Sequence, residues 1–374
     1  MSEEALRAAE QFRALYEEQL ARLERLSAAE KKDMTGRPLT IGVAGGDGIG
    51  PMIVQVAEAA LNKLLADEIA SGQVRMRPIE GLTIENRLAL NESVPKETLA
   101  AIRECDVFLK GPTMTPSGGS MTSANVMLRK ALDLYANVRP VRVPELGIDW
   151  TFFRENTEGE YTLGSQGVQL NPDLAVDFKV ITRPGTERIA RAAFDYARAN
   201  GKTRVTVVTK ANIMKKTDGL FSEVCRQVAA DYPEIETDEY YVDIMSAMLV
   251  NPEERQKLQV ILTPNLYGDI LTDEAAQLQG GVGTAGSANL GDRYAMFEAI
   301  HGSAPRLIEQ GLGDYADPES ILRAAALLLT HIGRNDLACR LSEAIDTCKA
   351  QGAGVSHERG ITCEMFGKRL LEML

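Results

Sequence analysis

The hydrophobic positions of this chain change period several times along its length. Phe12, Leu15, Tyr16, Leu20, Leu23 and Leu26 recur at three- and four-residue steps, with Glu, Arg and Lys between them. That spacing predicts an amphipathic helix within residues 1–33. Its apolar stripe packs on its own body or adds an oligomer contact. No motif residue lies in it, so it is expected to be dispensable for chemistry. Residues 31–38 read as a linker. The run Leu39–Ala44 then enters a glycine turn, GGDGIGP, as a buried strand would, and helical periodicity follows over 52–65. Further strands are predicted at 74–79, 107–109, 151–153, 178–182, 205–208 and 260–262, and helices at 186–200, 219–232 and 318–332. Strand–helix alternation of this kind argues for α/β layers. Residues 154–178, rich in glycine and polar side chains, read as an arm outside the core.

Composition narrows the function classes. A chain of 374 residues, 44% hydrophobic and 25% charged, is long enough for two core-bearing lobes or one large domain. The formal net charge of −12 makes nucleic acid a poor partner, because phosphate binding wants a basic face. Five scattered cysteines with no CxxC pair fit reduced thiols better than a disulfide framework. The first residues lack a signal-peptide core, and no run approaches the roughly 18 apolar residues of a membrane span. No membrane partner is expected, and the cytoplasm is the expected location.

Four stretches carry chemistry. In Asn265-Leu266-Tyr267-Gly268-Asp269-Ile270-Leu271-Thr272-Asp273, Asp269 and Asp273 are four apart and would share one helix face. Alone, such a pair suits a solvated acidic face. Set among apolar residues, it suits a hard cation such as Mg²⁺ or Mn²⁺. Arg129, Arg139 and Arg154 could grip a substrate with several carboxylates through bidentate contacts, although any one of them alone would suit a surface ion pair. In Thr209-Lys210-Ala211-Asn212, Lys210 ends an apolar strand, where desolvation would make it a usable base. The small-residue loop around His301-Gly302-Ser303-Ala304-Pro305 permits close approach of backbone to a ligand. GGDGIGP is not GxGxxG, so a Rossmann dinucleotide site does not follow from it.

Taken together, GDGIGP, LKGP, LDLYANVRP, RENTEGEY, KANIMK, NLYGDILTD and HGSAP, in this order over about residues 39–374, resemble the isocitrate and 3-isopropylmalate dehydrogenase family, the β-decarboxylating dehydrogenases. The resemblance implies a two-lobed α/β fold that is not Rossmann. The expected large, cofactor-binding lobe is 39–134 plus 281–374. The expected small lobe is 135–280, bearing the metal site, the dimer interface and an arm that clasps a second subunit. Residues 1–38, the helix and linker, lie outside it.

By the same resemblance, Tyr161 and Lys210 are the acid–base pair, and Asp243, Asp269 and Asp273 the metal ligands. Arg129, Arg139 and Arg154 clamp substrate carboxylates. Ser123 and Asn125 match the Ser-x-Asn pattern of isocitrate enzymes, where isopropylmalate enzymes carry apolar residues. The nicotinamide cofactor, NAD or NADP, would meet Lys110, Thr113, Thr115, Asn212, Glu298, His301, Gly302, Ala304, Arg306 and Asp317. Lys210 and Asp243 would come from one subunit, and Asp269, Asp273 and the arginines from the other, in a homodimer or higher homo-oligomer. The chain also departs from the family. Met52 stands where a glutamate is usual, Met114 where threonine is frequent, and Asp317 where asparagine is common. Arg306 replaces the aspartate of NAD-linked members and suits a 2′-phosphate, whereas Leu307 offers no hydrogen bond. The expected activity is oxidative decarboxylation of isocitrate. Isopropylmalate, homoisocitrate or tartrate are alternative substrates, and a non-catalytic regulatory subunit is the alternative class.

Overall fold

The computed structural model describes residues 3–26, 32–34, 36–116, 121–162 and 167–374. Part of the 31–38 linker and of the 154–178 arm lies outside these residues. Among the described residues the strands are β1 Leu39–Ala44, β2 Val74–Pro78, β3 Val107–Lys110, β4 Ala136–Val143, β5 Ile148–Glu155, β6 Val168–Asn171, β7 Leu174–Val176, β8 Arg204–Thr209, β9 Glu236–Tyr241, β10 Val260–Thr263, β11 Gly286–Leu290 and β12 Ala295–Ala299.

The chain divides into two compact units. One comprises 32–134, 138–140 and 276–374. Its strands run in the order β2-β1-β3-β12-β11, parallel except for the antiparallel β11–β12 pair. β3 is buried along its whole length and apolar except for its last residue, Lys110, as a central parallel strand requires. Ile79, Ile102, Phe108, Leu128, Leu134 and Met296 form a core cluster of this unit. β1 feeds the glycine turn into a helix, Gly50–Leu64, with Pro51 in its first turn, where the missing N–H costs nothing.

The other unit comprises residues 1–31, 135–137 and 141–275. Its strands run β5-β10-β8-β9, all parallel. Trp150, Phe152, Phe194, Val205, Phe221 and Ile261 are buried in it. β6 and β7 form a separate antiparallel hairpin within the stretch read as an arm.

The expected N-terminal helix forms over Glu3–Leu26. It packs on its own unit, against β6 and the helix Arg183–Ala199. Leu15 is buried and Phe12 tilts against Phe178 with ring centroids 5.3 Å apart, while Leu6, Phe12, Tyr16 and Leu20 keep exposed surface.

The strand expected over 178–182 does not form. Only an isolated bridge, Val180 to Gly159, remains there. Its side chains are engaged elsewhere: Phe178 on Phe12, and Lys179 buried on Asp218 at 2.6 Å. Thr182 caps the next helix by accepting the N–H of Gly185, so that helix begins at Arg183, ahead of the expected 186.

Candidate active site

In the first unit, the glycine turn and the HGSAP loop support one another. The carboxylate of Asp47, buried inside GGDGIGP, accepts the backbone N–H groups of Ile84 at 2.6 Å and Met114 at 2.7 Å, and Arg87 at 3.0 Å. It thereby holds the 112–116 loop that carries Thr113 and Thr115. Gly48 has φ +58°, and a Cβ there would lie 2.1 Å from the carbonyl oxygen of Ser303. Only glycine lets the two loops meet so closely. Ala304, in the left-handed region at φ 45°, then starts the short helix that bears Arg306.

Between these loops and β4 lies a cavity lined by Thr113, Asn125, Arg129, Arg139, Ser287, Glu298, His301 and Gly302, among others. Six of the predicted site residues and one unpredicted serine, Ser287, stand with Glu298 on it. Thr113 donates its hydroxyl proton to Asn125 Oδ1 at 3.0 Å. Ser123 stands at the N-terminus of the helix Ala124–Ala131, which also carries Asn125 and Arg129. His301 Nε2 is buried with no hydrogen-bond partner among the described residues, which suits a polar ligand group in the cavity.

Glu298 organises the cationic side of this cavity. Its oxygens meet Arg129 at 2.9 Å, Lys110 Nζ at 3.1 Å and Asn289 Nδ2 at 2.9 Å. Burial alone would push this carboxyl up, but the charges of Lys110 and Arg129 more than reverse that and hold it down at about 2. Burial lowers Lys110 below its ordinary value, with Glu298 working against the fall. Lys110, expected on the cofactor, is fully buried and spends its donors on Glu298 and the carbonyl of Gly111. Glu298 is likewise the anchor of Arg129. Thr115 and Arg306 are exposed. Asp317 Oδ1 accepts the N–H of Glu319 at the start of the Glu319–His331 helix.

In the second unit, the helix Asn265–Leu278 places Asp269 and Asp273 on one face. Arg154, buried at the end of β5, donates Nε and Nη2 to Asn265 Oδ1 at 3.0 and 2.7 Å and Nη1 to Asp269 at 2.5 Å. Tyr161 donates its hydroxyl to the other oxygen of Asp269 at 2.6 Å. Gly268 explains the glycine of NLYGD, since a Cβ there would lie 2.5 Å from Arg154 Cγ. Lys210, at the end of β8, pairs with Asp243 and keeps part of its side chain exposed. Its backbone N–H is held at 2.7 Å by Asp218, a fully buried carboxylate that also takes Lys179 and Tyr267. Asn212 is exposed beyond this strand end.

Sequence reasoning missed Asp47, Asp218 and Asn265. Asn265 stood inside a recognised motif, but its role needs the three-dimensional approach of Arg154. Among the described residues no three His, Cys, Asp or Glu side chains converge as a metal-binding group. The donors expected for the metal are hard carboxylate oxygens, partly or well exposed, which suits Mg²⁺ or Mn²⁺. Among the described residues no helix is long and apolar enough to cross a membrane, and all five cysteines are unpaired thiols.

The isocitrate/isopropylmalate dehydrogenase family model matches residues 40–356. An isocitrate dehydrogenase (NADP) of Rickettsia bellii is 39% identical over 317 residues, covering 82% of this chain and 62% of that relative. The chain thus spans less than two thirds of that relative's length. A 3-isopropylmalate dehydrogenase of Methanothermobacter thermautotrophicus is 38% identical over 322 residues, covering 84% of this chain and 92% of its own length. The crystal structure of isocitrate dehydrogenase from Methylococcus capsulatus superposes with a TM-score of 0.79 at 37% identity, covering 90% of this chain and 99% of that one. With the motif residues of Arg154, Tyr161, Lys210 and Asp269 in place and the fold shared at this level, the chain belongs to the isocitrate/isopropylmalate dehydrogenase family.

Proposed function

We propose that this protein oxidises and decarboxylates isocitrate to 2-oxoglutarate, reducing NAD or NADP, with Mg²⁺ or Mn²⁺ required. The observation that carries the substrate assignment is the cavity on which Arg129, Arg139 and Asn125 converge. Two guanidiniums and an amide suit a polycarboxylate and leave little for an isopropyl group. Ser123, at the start of the same helix, adds a hydroxyl for the third carboxylate. Arg154 supplies a further guanidinium for the substrate.

Asp269, Asp273 and Asp243 would hold the metal, which would supply Lewis acidity at the substrate hydroxyl, and a bound nicotinamide would supply the hydride acceptor. Lys210 takes the hydroxyl proton as hydride leaves the same carbon. The resulting β-keto acid loses CO₂, and Tyr161 delivers a proton to the carbon left behind. Each proton-transfer group is worth roughly 10²–10⁴ in rate. In one chain Lys210 engages Asp243, whereas Arg154 and Tyr161 engage Asp269. The family resemblance adds a second copy of the chain, in a homodimer or higher homo-oligomer, that completes each site. We place the enzyme in the cytoplasm, with 39–134 and 281–374 as its cofactor lobe and 135–280 as its metal and clasp lobe. The test is incubation with isocitrate, Mn²⁺ and either nicotinamide. One 2-oxoglutarate per reduced nicotinamide supports the reading, and neither product overturns it.

A further inference from the structure

The segment joining Arg154 to Tyr161 buries two carboxylates, Glu155 and Glu158, with essentially no exposed surface. Neither enters the chemistry above. Two acids taken out of water three residues apart need nearby positive charge or a proton. The charged groups that face them come from two helices. Arg188, on the helix Arg183–Ala199, donates to Thr157 Oγ1 at 3.1 Å and stacks over the ring of Tyr135 at 4.3 Å. Arg22, on the N-terminal helix, donates Nη1 to Glu158 Oε1 at 2.9 Å and Nη2 to Thr157 Oγ1 at 3.0 Å.

The hydrogen bonds form one connected set. Thr157 Oγ1 receives both guanidiniums and donates to Glu155 at 2.6 Å. Glu155 also receives the N–H groups of Thr157 at 2.9 Å and Glu158 at 2.6 Å. Glu158 receives the N–H of Thr182 at 2.9 Å and its hydroxyl, and its backbone carbonyl receives Asn265 Nδ2 at 2.9 Å. Asn265 is the residue that grips Arg154. The two guanidiniums thus balance the two carboxylates, and the arrangement sets the path of the backbone that ends at Tyr161. Arg22 is the one member contributed by a helix outside the matched family region of 40–356.

We propose that the N-terminal helix is a brace for the active-site segment, and that Arg22 is a positioning residue which neutralises the buried Glu155–Glu158 pair and so holds Tyr161 in place. This gives the helix a role in the reaction, where the absence of a motif residue suggested none. The proposal rests on the reading of Tyr161 as the proton donor. Burial, followed by the neighbouring charge of Glu158, already pushes Glu155 up to about 7, so this carboxyl sits close to taking up a proton. Removing a guanidinium tips it further that way.

The test compares wild type, Arg22→Met, Arg22→Lys and the double variant Arg22→Met/Glu158→Gln, all as full chains. In kcat against pH, Arg22→Met should lose roughly 10-fold, the weak end of one charge-assisted bond, and its acidic limb should move to higher pH. KM for isocitrate should stay within about twofold, because Asn265 and Asp269 still hold Arg154. Arg22→Lys should recover most of the loss. The double variant, having no excess buried charge, should return the acidic limb toward wild type. A kcat–pH profile of Arg22→Met coincident with wild type overturns the proposal, and so does a fall in kcat and thermal stability with no shift of the limb. Wild type inactive on isocitrate is instead a failure of the functional reading. In that case the thermal midpoint still decides the pairing. The deficit of Arg22→Met should be larger above neutrality than at about pH 5, and a deficit independent of pH refutes the brace.

Discussion

Replacing Glu298 by Gln removes one charge from a site where two cations depend on it. Lys110 is fully buried and Arg129 nearly so, and both touch Glu298. Holding a carboxyl at about 2 when its ordinary value is 4.5 corresponds to about 3 kcal/mol in favour of the ionised form. Breaking a buried ion pair by deleting one partner costs a similar amount, about 3–5 kcal/mol, because the other charge stays buried and unpaired. Urea unfolding at neutral pH should therefore show Glu298→Gln less stable by about 3 kcal/mol. The sign of the pH dependence follows from the depressed value. The contribution is fully present above the ordinary carboxylate value and is lost as pH falls from there through about 2. The gap between wild type and variant should accordingly narrow below about pH 4.5. Arg129 also loses its anchor, so KM for isocitrate should rise in the same variant. A Glu298→Gln protein as stable as wild type at neutral pH would refute the reasoning, since it would mean that the ionised pair contributes nothing beyond a neutral amide.

Other perturbations separate the assigned roles. Asp269→Asn should weaken Mn²⁺ binding and lower kcat/KM by about 100-fold or more, with partial recovery at high Mn²⁺; full activity after complete metal removal would exclude the metal role. Changing Ser123 and Asn125 together to Leu should depress turnover of isocitrate and raise that of 3-isopropylmalate relative to it; unaltered isocitrate kinetics would remove these residues from specificity. Arg306→Asp tests the cofactor. If the guanidinium reads a 2′-phosphate, kcat/KM with NADP should fall about 10- to 150-fold while NAD holds or rises. An equal change with both cofactors would leave Arg306 a surface residue.

The sequence carried the central strands and the motif chemistry, because both are local. β3, β8 and β10 are short runs rich in apolar and β-branched residues, as buried parallel strands require. Asp269 and Asp273 needed only a helix to come together, and the helix is there. What stayed hidden depends on long-range contact. β9, Glu236–Tyr241, is a polar edge strand whose partner is β8, and β11 contains glycine, serine and asparagine. The stretch 178–182 looked like a strand because Phe178 and Val180 alternate with polar residues, yet its side chains fasten other elements. Lys110 and Glu298 were read as cofactor residues from their motifs. Their mutual burial, and Arg129's dependence on it, cannot be seen along the chain. Asp47, Asp218 and Asn265 act through backbone groups and buried partners distant in sequence.

The most direct test of the functional claim is steady-state kinetics of the purified protein with isocitrate and with 3-isopropylmalate, each with saturating Mn²⁺ and with both NAD and NADP. The polar, arginine-lined cavity predicts that kcat/KM for isocitrate exceeds that for 3-isopropylmalate by at least about 100-fold with the better cofactor, since buried polar groups left unpaired by an apolar substituent discriminate strongly. Equal efficiency on the two acids, or preference for 3-isopropylmalate, would contradict it.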